Sequence, residues 1–375
     1  MSRKYPLAKP PGHKPPMERW KLEFDSPTTI HTTYIGVQRH GSTSDSLLAY
    51  TKAIDITQAS LDSAKTTSEK FTFIEGDDAP ESTTWVCYHT SRDPTSGPGH
   101  GLHLRSIYEA LGKPSTIGLW KESFSTPTSR LETNYSGLDY LPGLAQLPST
   151  RSNPVAHTLT AYWGAARDRI PESASDLFSL PSADEDPISI SISNSASKQR
   201  SLGRYVHGTN NLDNIVHIRS GQFWENCTDA ERQAYEENLE PALREGLRYV
   251  WNNRSESGAL GLRFLRNSRS TYARTPITPS PSSHEDELPN LVKETSAAGF
   301  FRNLSDLERW AKGHPSHHAI FNGAIKHARR FGAERKMRTW HEVSVLKRGE
   351  VCFEYLNCVP ETGVVRFCEL EGSEV

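Results

Sequence analysis

LSDLERWAKGHPSHHAIFNGAIKHARRFGAERKMRTWHEVSVL, residues 304–346, carries the reading that decides the fold class. Ser305 and Glu308 stand at capping-box spacing, where a hydroxyl and a carboxyl three residues apart satisfy the free N–H groups of a helix start. A helix should therefore open there and stop near Gly313. Pro315 suits the first turn of a second helix, with His314 near its cap and the end at about Arg330. Residues 337–346 then read as a strand, and helices feeding a strand imply an α+β fold.

Outward from this stretch the same pattern recurs. Residues 351–355 and 364–368 read as strands after it, and 260–264 and 214–220 as strands before it, the last with Val216, Ile218 and Ser220 on one side. Thr228 and Glu231 repeat the capping-box spacing ahead of a helix over 229–251, which Pro241 should kink or divide. Earlier still, 83–89, 117–122 and 158–163 read as strands, 103–111 as a helix stopped at Gly112, and 172–180 as helical. The polar stretches 181–200 and 269–290 read as loops, with one short strand possible in ISISIS at 188–193. Pro10, Pro11, Pro15 and Pro16 make residues 1–30 an extended arm. The whole suggests two related strand-and-helix units in one compact body spanning 1–375.

Composition narrows the function classes. The 375 residues carry 43 Lys+Arg against 45 Asp+Glu, which excludes a large basic footprint for nucleic acid. No run approaches eighteen apolar residues and no signal peptide follows Arg3 and Lys4, so the expectation is a cytoplasmic protein without a membrane partner. The five cysteines form no CxxC pair, which speaks against a zinc ribbon or a dithiol site. GxSxG, P-loop and GxGxxG motifs are absent.

Position selects a few residues for chemistry. His317 shares a helical face with Ile320, Phe321, Ala324 and Ala328 and so points into an apolar interior, where a neutral imidazole can ligate a metal or haem iron. A core histidine bonded to a backbone carbonyl is the plainer account of the same pattern. His341 lies on the strand face of Val343 and Val345, opposite Glu342, and could exchange a proton near neutral pH or simply be a hydrogen-bonded sheet histidine. Arg167 and Arg169 could together hold a carboxylate or propionate, or form a solvated salt-bridge cluster. Ser220 ends its strand where a hydroxyl can meet a ligand, although turn hydrogen bonds are the commoner use. Glu132 could orient an arginine or a water, or make a surface-loop contact.

RLETNYSGLDYLPG (130–143), AYWGAARDR (161–169), HIRSGQFW (217–224), LSDLERWAKGHPSHHAIF (304–321) and TWHEVSVL (339–346), with RKYPLAKPPGHKPP (3–16), together resemble the haem-containing aldoxime dehydratases. The resemblance implies duplicated ferredoxin-like units with antiparallel sheets packed by helices, dimeric α+β barrel-like, the units falling at 60–155 and 156–375. It implies b-type haem, active as Fe(II), with His317 as its axial ligand, and dehydration of arylalkyl or alkyl aldoximes to nitriles. His341 then matches the distal acid/base residue, Ser220 the residue that bonds the substrate hydroxyl, Arg167 the distal arginine with Arg169 as second choice, and Glu132 the supporting acid. A homodimer is implied as well. The spacing departs from the family at 181–200, 269–290 and the RFGAERK connection. A haem-dependent peroxidase or oxygenase, or a nonenzymatic haem sensor, would use similar residues.

Overall fold

A β-α-β-β-α-β order occurs twice along the chain, and both runs enter one antiparallel sheet. The computed structural model describes residues 3–24, 28–64, 67–91, 102–147, 152–179, 201–268, 291–368 and 370–375. Strand β1 (Arg19–Phe24) leads into a first run of β2 (Thr29–Arg39), α1 (Ser44–Ser63), β3 (Thr67–Gly76), β4 (Ser82–Ser91), α2 (Leu104–Ala110) and β5 (Ile117–Pro127). β6 (Leu131–Tyr135), β7 (Ser152–His157), the short α3 (Ala165–Arg169) and β8 (Arg204–Thr209) connect to the second. That run is β9 (Ile215–Phe223), the helices α4 (Asp229–Ala234), α5 (Glu240–Asn252) and α6 (Arg254–Ser257), β10 (Ala259–Ser268), β11 (Leu291–Phe301), the helices α7 (Leu304–Gly313) and α8 (Pro315–Phe331), and β12 (Arg338–Leu346). β13 (Val351–Leu356) and β14 (Glu371–Glu374) follow.

Within the sheet the strands run β14-β8-β13-β5-β2-β4-β3-β10-β11-β9-β12-β6-β1-β7. Each unit therefore places its strands in the order fourth, first, third, second, the connectivity expected of duplicated ferredoxin-like units, and the two meet edge to edge at β3 and β10. From β5 the chain turns through Thr128–Arg130 into β6, which pairs with β12. One short connection thus ties the outer strand of the first unit to the outer strand of the second, as in a barrel.

Both units use the same packing device on the sheet face turned away from the helices. Gly36 of β2 pairs with Trp120 of β5, and Gly221 of β9 pairs with Trp340 of β12. In each case the indole lies across the glycine, where a Cβ would come within 1.9 Å of Trp120 or 2.3 Å of Trp340. Behind them sit two buried charge clusters, Arg263 with Glu122 and Asp78, and Arg219 with Glu69. Glu342, which accepts from Tyr88 and the Leu144 N–H, is pushed by burial up to about 7, with Arg219 only partly opposing.

Several expected elements take another form. Residues 158–163 are not a strand, because Ala161 and Gly164 both adopt positive φ and turn the chain, and β7 lies just before them. Instead of a helix over 172–180 there is a single 3-10 turn, Pro171–Ala174, and no further helix among the described residues up to 179. The cap of α7 is Asn303, whose side chain accepts from the Asp306 N–H at 2.8 Å, so Ser305 and Glu308 are not its capping box. Residues 364–368 form a buried turn closed by local bonds from Phe367 and Cys368 to Val364. Pro241 does divide its helix, through the π turn Tyr235–Leu239. The two β-α-β-β-α-β runs cover Thr29–Pro127 and Ile215–Leu346. The stretches 181–200 and 269–290 lie outside the described residues.

Candidate active site

A row of four residues crosses the helix-facing side of the second unit. Register places Ala297 of β11 beside Ser220 of β9, Ser220 beside His341 of β12, and His341 beside Asn134 of β6. Directly paired residues point to the same face, with Cβ atoms about 5 Å apart. All four line a cavity of about 450 Å³ between this sheet and the helices α5, α7 and α8. The Ser220 hydroxyl closes no hydrogen bond with the described residues, which leaves it open to the cavity.

His341 is held from behind by a buried ion pair. Arg169 donates to Glu132 through Nε at 2.8 Å and Nη2 at 3.1 Å, and its Nη1 donates to the Leu159 carbonyl at 2.6 Å. The same Nη2 stands 2.8 Å from His341 Nε2, and Glu132 Oε1 stands 3.0 Å from that nitrogen. Burial alone would raise the Glu132 carboxyl, but the Arg169 guanidinium and the His341 ring overcome it and hold the group at about 2. His341 Nε2 therefore faces a permanent donor and a permanent acceptor. Both contacts fall on Nε2, so Nδ1 is the ring nitrogen outside this network.

Across the cavity stands His317. α8 begins at Pro315 with His314 as its cap, and the helical repeat turns His317, Ile320, Phe321 and Ala324 to the same space. Trp310 packs edge-on against the His317 ring at 4.9 Å. Its buried Nδ1 closes no geometrically sound hydrogen bond. Burial pushes the imidazole down to about 4, only partly offset by the Ala311 backbone, so it stays neutral through the physiological range. His318 instead faces out and bonds the Lys312 carbonyl, and His314 stacks on Tyr249 at 3.5 Å.

The N-terminal segment ahead of β1 reaches from α3 to this cavity, with one turn closed by the His13 N–H on the Pro10 carbonyl. Ala8 N–H and Lys9 N–H donate to the two oxygens of Asp168, which also accepts from the Tyr162 hydroxyl at 2.7 Å. Pro16 and Met17 then line the cavity.

The structure thus brings Ser220, His341, Glu132 and His317 to one place, with Ser220, His341 and His317 in the wall and Glu132 behind His341. It does not bring Arg167. Residues two apart on a helix point about 200° from one another, so Arg167 turns away to Glu308, Ser305 and the Leu177 carbonyl while Arg169 turns to Glu132. The arginine beside His341 is Arg169, and the two arginines do not form one anion clamp. Glu132 is not in a loop but in β6, fully enclosed, where LETNY alternates and sends Glu132 and Asn134 to one face. That alternation was the available signal for the strand. Asp168, the anchor of the arm, and Arg19 were not singled out by sequence reasoning.

An apolar cavity with a neutral, open imidazole on a helix and a second imidazole, held by Arg169 and Glu132, on the opposite sheet suits a flat metal macrocycle. Residues 33–364 match the model of the haem-containing dehydratases. The chain belongs to this family. It is 32% identical to the phenylacetaldoxime dehydratase of Bacillus sp. (strain OxB-1), over 69% of this chain and 66% of that protein. To the aliphatic aldoxime dehydratase of Pseudomonas chlororaphis it is 31% identical, over 67% of this chain and 62% of that protein. The matched stretch thus spans slightly less than two thirds of each relative. A crystal structure of an aldoxime dehydratase superposes with a TM-score of 0.75 at 25% identity, covering 98% of this chain and 96% of the other. Another, in complex with butyraldoxime, shares the fold with a TM-score of 0.73 at 23% identity. As a haem-containing dehydratase the chain should hold haem here, and the residues fit: His317 offers iron an undivided lone pair, and its neighbours are apolar.

Proposed function

We propose that this protein dehydrates aldoximes to nitriles, R-CH=N-OH giving R-C≡N and water, with haem held by His317. Haem, when bound, would supply a ferrous iron that takes the oxime nitrogen and weakens the N–O bond. The remaining work falls to this chain. Ser220 orients the oxime hydroxyl, since its own hydroxyl is free and lies beside His341. His341 delivers a proton from Nδ1, the nitrogen outside the Arg169–Glu132 network, to that hydroxyl, so that it leaves as water. Glu132 accepts from Nε2–H before and after the transfer, which keeps Nδ1 as the nitrogen that gives and takes the proton, and Arg169 holds Glu132 in place. The neutral ring then takes the C–H proton back at Nδ1, which balances the reaction without net oxidation or reduction.

The observation that carries the reading is His341 Nε2 set between Arg169 and Glu132 in a cavity shared with His317. The apolar walls suit an arylalkyl or alkyl substituent. A homodimer and a cytoplasmic setting belong to the same proposal on resemblance; among the described residues no helix is long and apolar enough to cross a membrane. The test is anaerobic incubation of the reduced, haem-loaded protein with phenylacetaldoxime and butyraldoxime, followed by product analysis. Nitrile formed without net consumption of reductant is the expected result. Loaded protein that makes no nitrile but oxidises substrates with peroxide would replace this reading with the peroxidase one.

A further inference from the structure

One wall of the cavity carries a positive charge that no described carboxylate neutralises. Arg19 opens β1, and its side chain lines the cavity with Met17, Arg169 and Thr339. It donates to the Thr339 hydroxyl at 2.9 Å and less well to the Thr339 carbonyl at 3.4 Å. Among the described residues no carboxylate closes an ion pair with it. Burial, and after it repulsion from the guanidiniums of Arg335 and Arg169, pushes it down to about 9, still protonated at neutral pH. Arg169 is matched by Glu132, whereas Arg335 donates only to the Ser136 carbonyl and the Met17 sulfur.

A buried cation without a counter-charge is expensive, and the fully buried arginines of this fold avoid it. Its least exposed arginines, Arg130, Arg169, Arg219 and Arg263, each hold a carboxylate. Half-buried Arg19 lines the cavity without such a partner, whereas Arg169, which lines it too, is matched by Glu132. With the Thr339 hydroxyl fixing one edge of the guanidinium, the rest of its planar fork is available to two oxygens at once.

We propose that Arg19 is a carboxylate-binding site of this cavity and that in the loaded protein its occupant is a propionate of haem. The inference rests on the haem reading above. An acid group on the substrate has the same chemistry, and the experiment separates the two.

Apo-protein of the parent, Arg19→Met and Arg19→Lys is loaded in parallel with haem and with haem dimethyl ester, and transfer to excess apomyoglobin is followed by absorption. Arg19→Met should release haem about tenfold faster or more, with Arg19→Lys between the two and ester release equal in all three. The haem-loaded proteins are also titrated with 5-(hydroxyimino)pentanoate and with pentanal oxime. If Arg19→Met leaves haem release unchanged but abolishes a preference of the parent for the acid, the propionate assignment is overturned in favour of a substrate carboxylate. Equal haem release with no change in either titration, or an equal acceleration for the ester, overturns the carboxylate site altogether. Failure of the parent itself to take up haem would overturn the cofactor reading, and is told apart because it does not depend on Arg19.

Discussion

Matching positions of the two units carry different residues. In the first, the row across the helix-facing side reads Trp85, Ile35, Lys121, Glu354; in the second it reads Ala297, Ser220, His341, Asn134. Trp85 is fully enclosed and donates to Gln58 of α1, while Ile35 packs with Ala53, Leu61 and Ile107 of the covering helices. Lys121 pairs with Glu354. The first unit is solid there. Where it has an indole the second has a methyl group, and where it has an isoleucine and a lysine the second has a hydroxyl and an imidazole. One frame therefore serves as a packed half and a reactive half, and the difference lies in a few side chains on one face. The opposite face keeps its Gly–Trp pair in both.

The largest expected break of this contrast is His317→Ala, which should remove haem retention, read as the haem-to-protein ratio after reconstitution. Next is Ala297→Trp, which copies Trp85 into the second unit. It should exclude haem while the circular dichroism spectrum stays that of the parent. His341→Lys copies the other half of the first unit's row. It should leave haem bound and lower the rate of nitrile formation by about 10² to 10⁴, the usual contribution of a placed proton donor.

The shared face offers finer tests. Gly36→Ala and Gly221→Ala should each cost about 2–3 kcal/mol in denaturant unfolding, because a methyl group meets Trp120 or Trp340. Similar losses in both would support the equivalence, and a loss in one alone would break it. The smallest effect belongs to Glu342. Its folded carboxyl is raised to about 7, so its stabilising contribution is complete below the ordinary carboxylate range and is lost as pH rises through about 7. Glu342→Gln, neutral throughout, should gain on the parent by about 1–2 kcal/mol between pH 5 and pH 8. A pH-independent difference would show that Glu342 is not the titrating group.

The second unit was more legible in the sequence than the first. β9, β12 and α8 each bury one face against another layer and present clear alternation or helical spacing. β2, TIHTTYIGVQR, is buried on both faces over nearly its whole length, and the period-2 signal vanishes. α1 has Leu47 and Leu48 exposed while Thr57 is enclosed, which blurs its stripe. WKES at 120–123 and WHEV at 340–343 mark corresponding strands of the two units, a likeness too short to stand out without the register. In the site, the spacing of His317 and the alternation around His341 gave their directions. The choice between Arg167 and Arg169 needed the position and phase of α3, and Arg19 needed the arm's path, which proline content alone does not define.

That path also sets the order of assembly. Arg19 and Thr339, which touch at the cavity wall, are 320 residues apart in the chain, and the anchor at Asp168 bonds Ala8 across 160 residues. On a chain that emerges from its first residues onward, the early wall waits for β12, and loops this long close slowly. Haem can be enclosed only after synthesis has passed His341. The wall that would enclose the cofactor is thus drawn from chain made early, at residues 8–19, and chain made late, at β12.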